Sequence, residues 1–204
     1  NTADVKAHYL PEATAASFGN LFILYNSRIC PMQTFAIDFT KKLYGASTYK
    51  GLTAEQVLTG WVFWGEEWMN EPMLRIKNGE LKQTLQLPDY VSANDFFNKD
   101  MGGYTIGPYV REYYEGNHDA FCTQAVAIDD KMQLLMDLQR GVLLRMFPHT
   151  EHGTTTWLAP ADGQTTHDEH QAPAPLNEHQ ELAQKLFAVL QSEAVAMNYE
   201  QIDW

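Results

Sequence analysis

Cysteine is scarce: the 204 residues hold two, Cys30 and Cys122, and no C-x-x-C occurs. That excludes a thioredoxin-type redox pair, a zinc ribbon and a c-type haem attachment site. Two readings of the pair remain. It forms one Cys30–Cys122 disulfide in an oxidising compartment, or both are thiols acting as small apolar residues. The apolar helix face expected around Cys122 favours the thiols. Positive charge is also short, with 14 Lys and Arg against 26 Asp and Glu and a net charge of −12. Such a balance argues against nucleic acid, which needs clustered cations to release counterions, and against a polybasic membrane-surface anchor. No apolar run approaches the roughly 18 residues of a spanning helix. The motifs G-x-S-x-G, G-x-G-x-x-G, H-E-x-x-H and the P-loop are missing, and no internal repeat is visible.

What is present is an ordinary globular composition, 45% hydrophobic and 20% charged, which excludes disorder throughout. The charge is unevenly placed. Residues 148–204 carry nine acids and one base, Lys185, a balance of −8 that leaves −4 for residues 1–147. This divides the chain into a core domain over 1–159, a Pro-, Thr-, His- and Gln-rich linker over 160–175, and an acidic amphipathic helix within 176–204. Because Asn1 is not a Met, the chain is expected to be a piece of a longer protein.

The spacing predicts a helix from Pro11 to Phe18, a strand over 21–25 closed by Asn26-Ser27, and a helix Met32–Leu43 with Pro31 at its first position. Thr53-Ala54-Glu55-Gln56 is a capping box opening a helix whose apolar stripe runs through Val57, Trp61, Trp64 and Trp68. Asn78-Gly79 predicts a hairpin over 73–87. Ser92 caps a short segment, Pro108–Tyr114 is a short helix, and Asn117 caps a long helix over 118–140. Strands are expected over 142–147 and 155–158, and a last helix over 176–197. The fold class is therefore α+β, mainly helical with a small antiparallel sheet.

Several groups invite a chemical reading. His149, His152, His167 and His170, with His179, Asp168 and Glu169, have ligand types for a metal. A hydrophilic linker without fixed geometry is the preferred reading. Trp61, Trp64 and Trp68 could form a platform for a planar ligand, but aromatic residues at helical spacing are more often core. Glu66 and Glu67 are adjacent and point apart on a helix, which disfavours an acid/base pair. Asp129-Asp130 reads the same way. Tyr104, Tyr109, Tyr113 and Tyr114 read as a partly buried face with hydroxyls in water. No nucleophile–base pairing emerges, and no catalytic residue is nominated.

One stretch, Leu24-Tyr25-Asn26-Ser27-Arg28-Ile29-Cys30-Pro31-Met32-Gln33-Thr34, resembles the G-R-x-x-P-x-x-T pattern of a known family. Arg28, Pro31 and Thr34 match, and Ser27 stands where that family usually has Gly. Gly51-Leu52-Thr53-Ala54-Glu55-Gln56-Val57 is similar to its G-L-T-x-x-Q-V segment. Gly65-Glu66-Glu67-Trp68 and Glu71-Pro72-Met73 are similar to its E-E-W region, with Gly65 where Pro is expected. Asp129-Asp130-Lys131 and Leu144–Pro148 extend the likeness to about residues 18–160. The family is the extracytoplasmic part of the fused, ResB-like System II cytochrome c biogenesis proteins of Bacteroidetes type.

The resemblance implies a periplasmic domain of a multi-pass inner-membrane synthase that moves haem outward and attaches it to apocytochrome. Its partners would be the rest of the membrane-embedded synthase and apocytochrome c. Haem would belong to the parent protein, with no cofactor expected in this piece. The family's tryptophan-rich haem motif, W-G-x-W-x-W-D, is missing, so no chemistry is carried over. Arg28 is nominated to grip a carboxylate, with capping of the turn into the Pro31 helix as the plainer alternative. A structural interaction module is the next reading, and a metal-binding domain the third.

Overall fold

The computed structural model describes residues 4–77, 79–98, 100 and 103–163. The expected linker over 160–175 lies mostly outside them, and the final helix, with His167, His170 and His179, entirely so. An α+β fold is observed: seven α-helices and four separate two-stranded antiparallel sheets among the described residues.

Helix α1 (Glu12–Gly19) leads into strands β1 (Phe22–Tyr25) and β2 (Arg28–Pro31), followed by α2 (Met32–Tyr44). The predicted strand over 21–25 thus gains a partner, Phe22 facing Pro31 and Tyr25 facing Arg28. Asn26 and Ser27 both adopt positive φ, 50° and 61°, the backbone of a tight hairpin turn. Pro31 ends β2 and caps α2 instead of opening it. Gly45, at φ 94°, terminates α2 in the left-handed conformation that glycine adopts at least cost.

Helix α3 (Ala54–Phe63) is the centre of the molecule. Nine of its ten residues are buried, so it is enclosed on all sides by α1, α2 and α7. The expected capping box forms: Thr53 Oγ1 accepts from Gln56 N–H at 3.2 Å, and Thr53 N–H donates to Gln56 Oε1 at 3.0 Å. The tryptophan stripe does not continue as one helix. The chain breaks at Trp64 (φ −127°, ψ 43°) before the single turn α4 (Gly65–Trp68). That bend turns all three indoles inward.

The hairpin expected over 73–87 is not formed. Strand β3 (Leu74–Arg75) pairs instead with β4 (Tyr90–Val91), Leu74 against Val91. Between them Gly79–Thr84 forms helix α5, with Leu81 its one buried residue. Glu80, Leu81, Lys82 and Gln83 are strong helix formers, and their propensity prevails over the turn signal.

Ser92 caps a 3₁₀ turn, Ala93–Phe96, with Asp95 completing the box. Strands β5 (Phe97–Asn98) and β6 (Gly103–Tyr104) precede α6 (Gly107–Tyr114) and the long α7 (Ala120–Gln139). The cap of α7 is Asp119, two residues beyond the predicted Asn117, and its Oδ1 accepts from Cys122 N–H at 2.7 Å. The strand expected over 142–147 is displaced: β7 (Phe147–Glu151) pairs with β8 (Thr154–Leu158) across a turn whose His152 and Gly153 have φ 49° and 79°. Opposed threonines 150 and 155 join hydroxyls at 2.9 Å, and this ladder sets the register.

Candidate functional site

Four residues of the family-like motifs, Gln56, Glu67, Trp68 and Glu71, converge on the N-terminal segment. Glu71 is buried, and its Oε1 accepts from the backbone N–H groups of Lys6 at 2.7 Å and Ala7 at 3.0 Å. Its Oε2 accepts from the Tyr49 hydroxyl at 2.8 Å. Burial first, and then the Glu71 carboxylate, push that phenol well above its ordinary range. Glu67 accepts from His8 N–H at 3.0 Å and meets its imidazole Nδ1 at 2.7 Å. Partial burial opposes ionisation of Glu67, but the His8 donors hold its carboxyl below the usual range. Trp68 Nε1 donates to His8 O at 2.8 Å, and Gln56 Nε2 to Leu10 O at 2.9 Å. The Gln56, Glu67-Trp68 and Glu71 motif positions thus form a clasp that closes residues 6–10 over the core. Satisfying these backbone groups is a structural task, since a segment laid on the core must find partners for the N–H and C=O groups it buries.

Trp61, Trp64 and Trp68 are 1%, 7% and 0% exposed. They are core, and no indole face is open for a porphyrin to stack on. Trp61 Nε1 donates to Met73 Sδ at 3.2 Å, so it too is internally committed. Asp129 accepts the Tyr104 hydroxyl at 2.7 Å. That corrects the expectation of a hydroxyl in water for Tyr104 alone of the four tyrosines, and burial followed by Asp129 raises this phenol as well.

Cys30 and Cys122 are both free thiols, so the alternative of a Cys30–Cys122 disulfide is set aside. The Cys122 thiol, pushed up to about 11 by burial and by the Asp119 and Glu112 carboxylates, points to Glu112 at 3.7 Å. His149 faces Glu151 at 3.7 Å, and His152 lies on an exposed turn. Among the described residues no three His, Cys, Asp or Glu side chains assemble a metal site.

Arg28, Pro31 and Thr34 lie on and just after the β1–β2 hairpin, Arg28 and Pro31 exposed and Thr34 half-buried. Among the described residues the Arg28 guanidinium has no hydrogen bond or ion pair, so the turn-capping alternative has no contact behind it. Cross-strand partners share a face of a hairpin, which groups Phe22 with Pro31 and Leu24 with Ile29. Phe22 and Ile29 are 58% and 60% exposed. The motif therefore presents an apolar face with a free guanidinium at its turn.

A second feature escaped the sequence reading. Lys41, Lys42, Arg75, Lys77 and Lys131 line one cleft of about 290 Å³, together with Gly45, Gln124 and Ala127. Lys131 is buried, and its Nζ donates to the backbone carbonyls of Arg75 at 3.0 Å and Leu43 at 3.4 Å. The legible signal was a lysine set between Ile128 and Leu135 in the apolar stripe of α7.

Burial, with Lys77, Arg75 and Lys42 nearby, pushes the Lys131 ammonium down to about 8 from the ordinary 10.5. Between these values the unfolded chain binds more protons than the folded one, so stability rises with pH across that window; below it the cost of the buried charge is fully present. Lys131→Met is expected to abolish this rise. Urea-unfolding free energies of the wild type should gain on those of the variant between pH 8 and 10.5. Parallel curves would show that the ammonium is not desolvated.

The molecule is thus an α+β domain built around an enclosed helix, with a motif-bearing clasp and an exposed hairpin. No protein-family model matches the chain. It is 24% identical over 153 residues to protein NrfI of Wolinella succinogenes, a match covering 69% of this chain and 16% of NrfI.

Proposed function

We propose that this chain is a non-catalytic, extracytoplasmic domain of a membrane-embedded cytochrome c synthase, which docks on the rest of that protein and helps position apocytochrome c. The observation that carries the reading is the likeness to NrfI, which suggests a role in cytochrome c maturation and agrees with the motif resemblance. Because the chain spans only 16% of that relative's length, the activity belongs to a larger protein. Haem delivery enters through the parent, since the buried tryptophans here do not fit a porphyrin. No helix among the described residues is long and apolar enough to cross a membrane, and attachment to the bilayer rests with the parent in this proposal.

The face of exposed Phe22, Ile29 and Pro31 with half-buried Leu24, and Arg28 at its turn, is the contact surface. An exposed apolar patch with a charged rim has the composition of an interaction site. The test is made in the full-length parent protein. Arg28→Ala combined with Ile29→Ser is expected to lower holocytochrome c yield several-fold, read by haem staining, while the synthase accumulates normally. Unchanged yield would overturn the contact role of the hairpin.

A further inference from the structure

In a chain with 14 cations against 26 acids, five of those cations line a single cleft with no Asp or Glu among its lining residues. Such clustering is costly. Each added cation repels the others, and the buried Lys131 is the member that shows it. Part of the arrangement has a plain structural role. Lys41 and Lys42 occupy the last turn of α2, and Lys131 bonds Leu43 O, so all three complement the negative end of that helix. But a helix C-terminus supplies only about half a negative charge, which leaves most of the positive charge uncompensated. Asp89 acts on Arg75 from the β3–β4 excursion, yet it is fully exposed and already paired with Lys82. Asp130, beside Lys131 in sequence, is exposed and does not line the cleft.

The cleft is also built to hold its cations in place. Two of the three Lys131 donors are spent on backbone carbonyls, which fix the ammonium at the wall and leave one donor for a ligand. Arg75 lies against Gly45: a Cβ there would come within 3.3 Å of its Nη1 and 3.4 Å of its Cδ, so the glycine leaves room for the guanidinium. Gln124 adds a neutral amide to the lining. A cavity of about 290 Å³ is at the small end of the ligand-site range, the size of a headgroup and not of a large cofactor.

We propose that this cleft binds a small phosphate-class anion carrying two or more negative charges. Four of the five cations are lysines, compact point charges that adapt to a tetrahedral oxyanion from several sides. A planar carboxylate site would be expected to draw on paired arginine forks instead. The site is separate from the hairpin and does not rest on the role proposed for it. The phosphate is either a free ion or the headgroup of an anionic lipid.

Pyrophosphate titrated calorimetrically into the full chain at low salt should bind at one saturable site and weaken as salt is added. Lys42→Gln and Lys77→Gln, both at exposed side chains, should each weaken binding about tenfold, the effect of losing one charge-assisted hydrogen bond. Lys6→Gln, at an exposed residue outside the cleft, should leave it unchanged. Circular dichroism establishes that each variant is folded. Co-sedimentation with phosphatidic acid vesicles that is lost in the Lys42→Gln/Lys77→Gln double variant assigns a lipid headgroup. Pyrophosphate binding without vesicle binding assigns a soluble ion. Stabilisation by pyrophosphate no greater than by sodium chloride of equal ionic strength, or a double variant that binds like wild type, overturns the proposal.

Discussion

Glu71→Ala is expected to destabilise the fold by about 3–5 kcal/mol. The substitution strips the partner from three donors at once, the Lys6 and Ala7 N–H groups and the Tyr49 hydroxyl. Each buried donor left unsatisfied costs about 1–3 kcal/mol, and water re-entering the site recovers part of that. Tyr49 is 0% exposed, so its hydroxyl has little access to solvent. Tyr49→Phe removes one donor together with its need for a partner, and should cost only about 1 kcal/mol. The two changes should be non-additive, because Glu71→Ala already breaks the Tyr49 bond. Urea-unfolding midpoints of the four proteins in that cycle measure the coupling. A loss below about 1 kcal/mol for Glu71→Ala would show that the carboxylate does not hold the strap.

The second large effect is expected at Gly60, in the middle of α3. In an exposed helix, replacing Gly by Ala gains about 1 kcal/mol. Here a Cβ would lie 2.5 Å from Cε2 and Nε1 of Trp68. The indole cannot easily retreat: its Nε1 is bonded to His8 O at 2.8 Å, and its ring packs against Trp61 and Tyr49 at centroid distances of 5.9 and 6.0 Å. Overpacking of this kind costs about 1–3 kcal/mol, and loss of the His8 bond adds about 1 kcal/mol. The clash outweighs the propensity gain, and Gly60→Ala should lower stability by about 2 kcal/mol. Paired with Trp68→Phe, which shortens the ring system, it should lose less than the two single effects predict. Thermal unfolding of the set distinguishes a steric cause from a backbone one.

Both effects turn on contacts that local sequence signals do not carry. The capping box at Thr53 and Gln56 was legible because the partners are three residues apart and each satisfies the other's backbone. The Asn26-Ser27 turn and the stop at Gly45 were legible because few residues accept positive φ. By the same token, Asn78-Gly79 misled: the turn signal was real in kind, but the helix formers Glu80–Gln83 followed it, and Leu74 found its partner at Val91. The strand expected over 142–147 failed for a related reason, since β propensity marks residues able to pair and pairing depends on where the next turn falls.

The candidate site divides in the same way. The positions of Arg28, Pro31 and Thr34 on a turn and helix start were readable, and so was the burial of the tryptophan stripe. Neither Glu67 nor Glu71 looked like part of a clasp, because the N-terminal groups they bind lie 59–65 residues earlier in the chain. Nor did the overall acidity suggest a basic cleft, since composition averages over a surface that the fold partitions.

The amino-acid sequence by itself determined the α+β class, the main helices, and the strand and turn that precede the motif. These follow from periodicity, capping and turn chemistry acting over a few residues. Only the tertiary structure decided that the motif acids hold the N-terminal segment, that the tryptophan helix breaks at Trp64, and that five cations from α2, from β3 and the second residue after it, and from α7 share one cleft. Those outcomes depend on packing α3 inside the other helices, which joins side chains far apart in the chain and places charges where no local pattern records them.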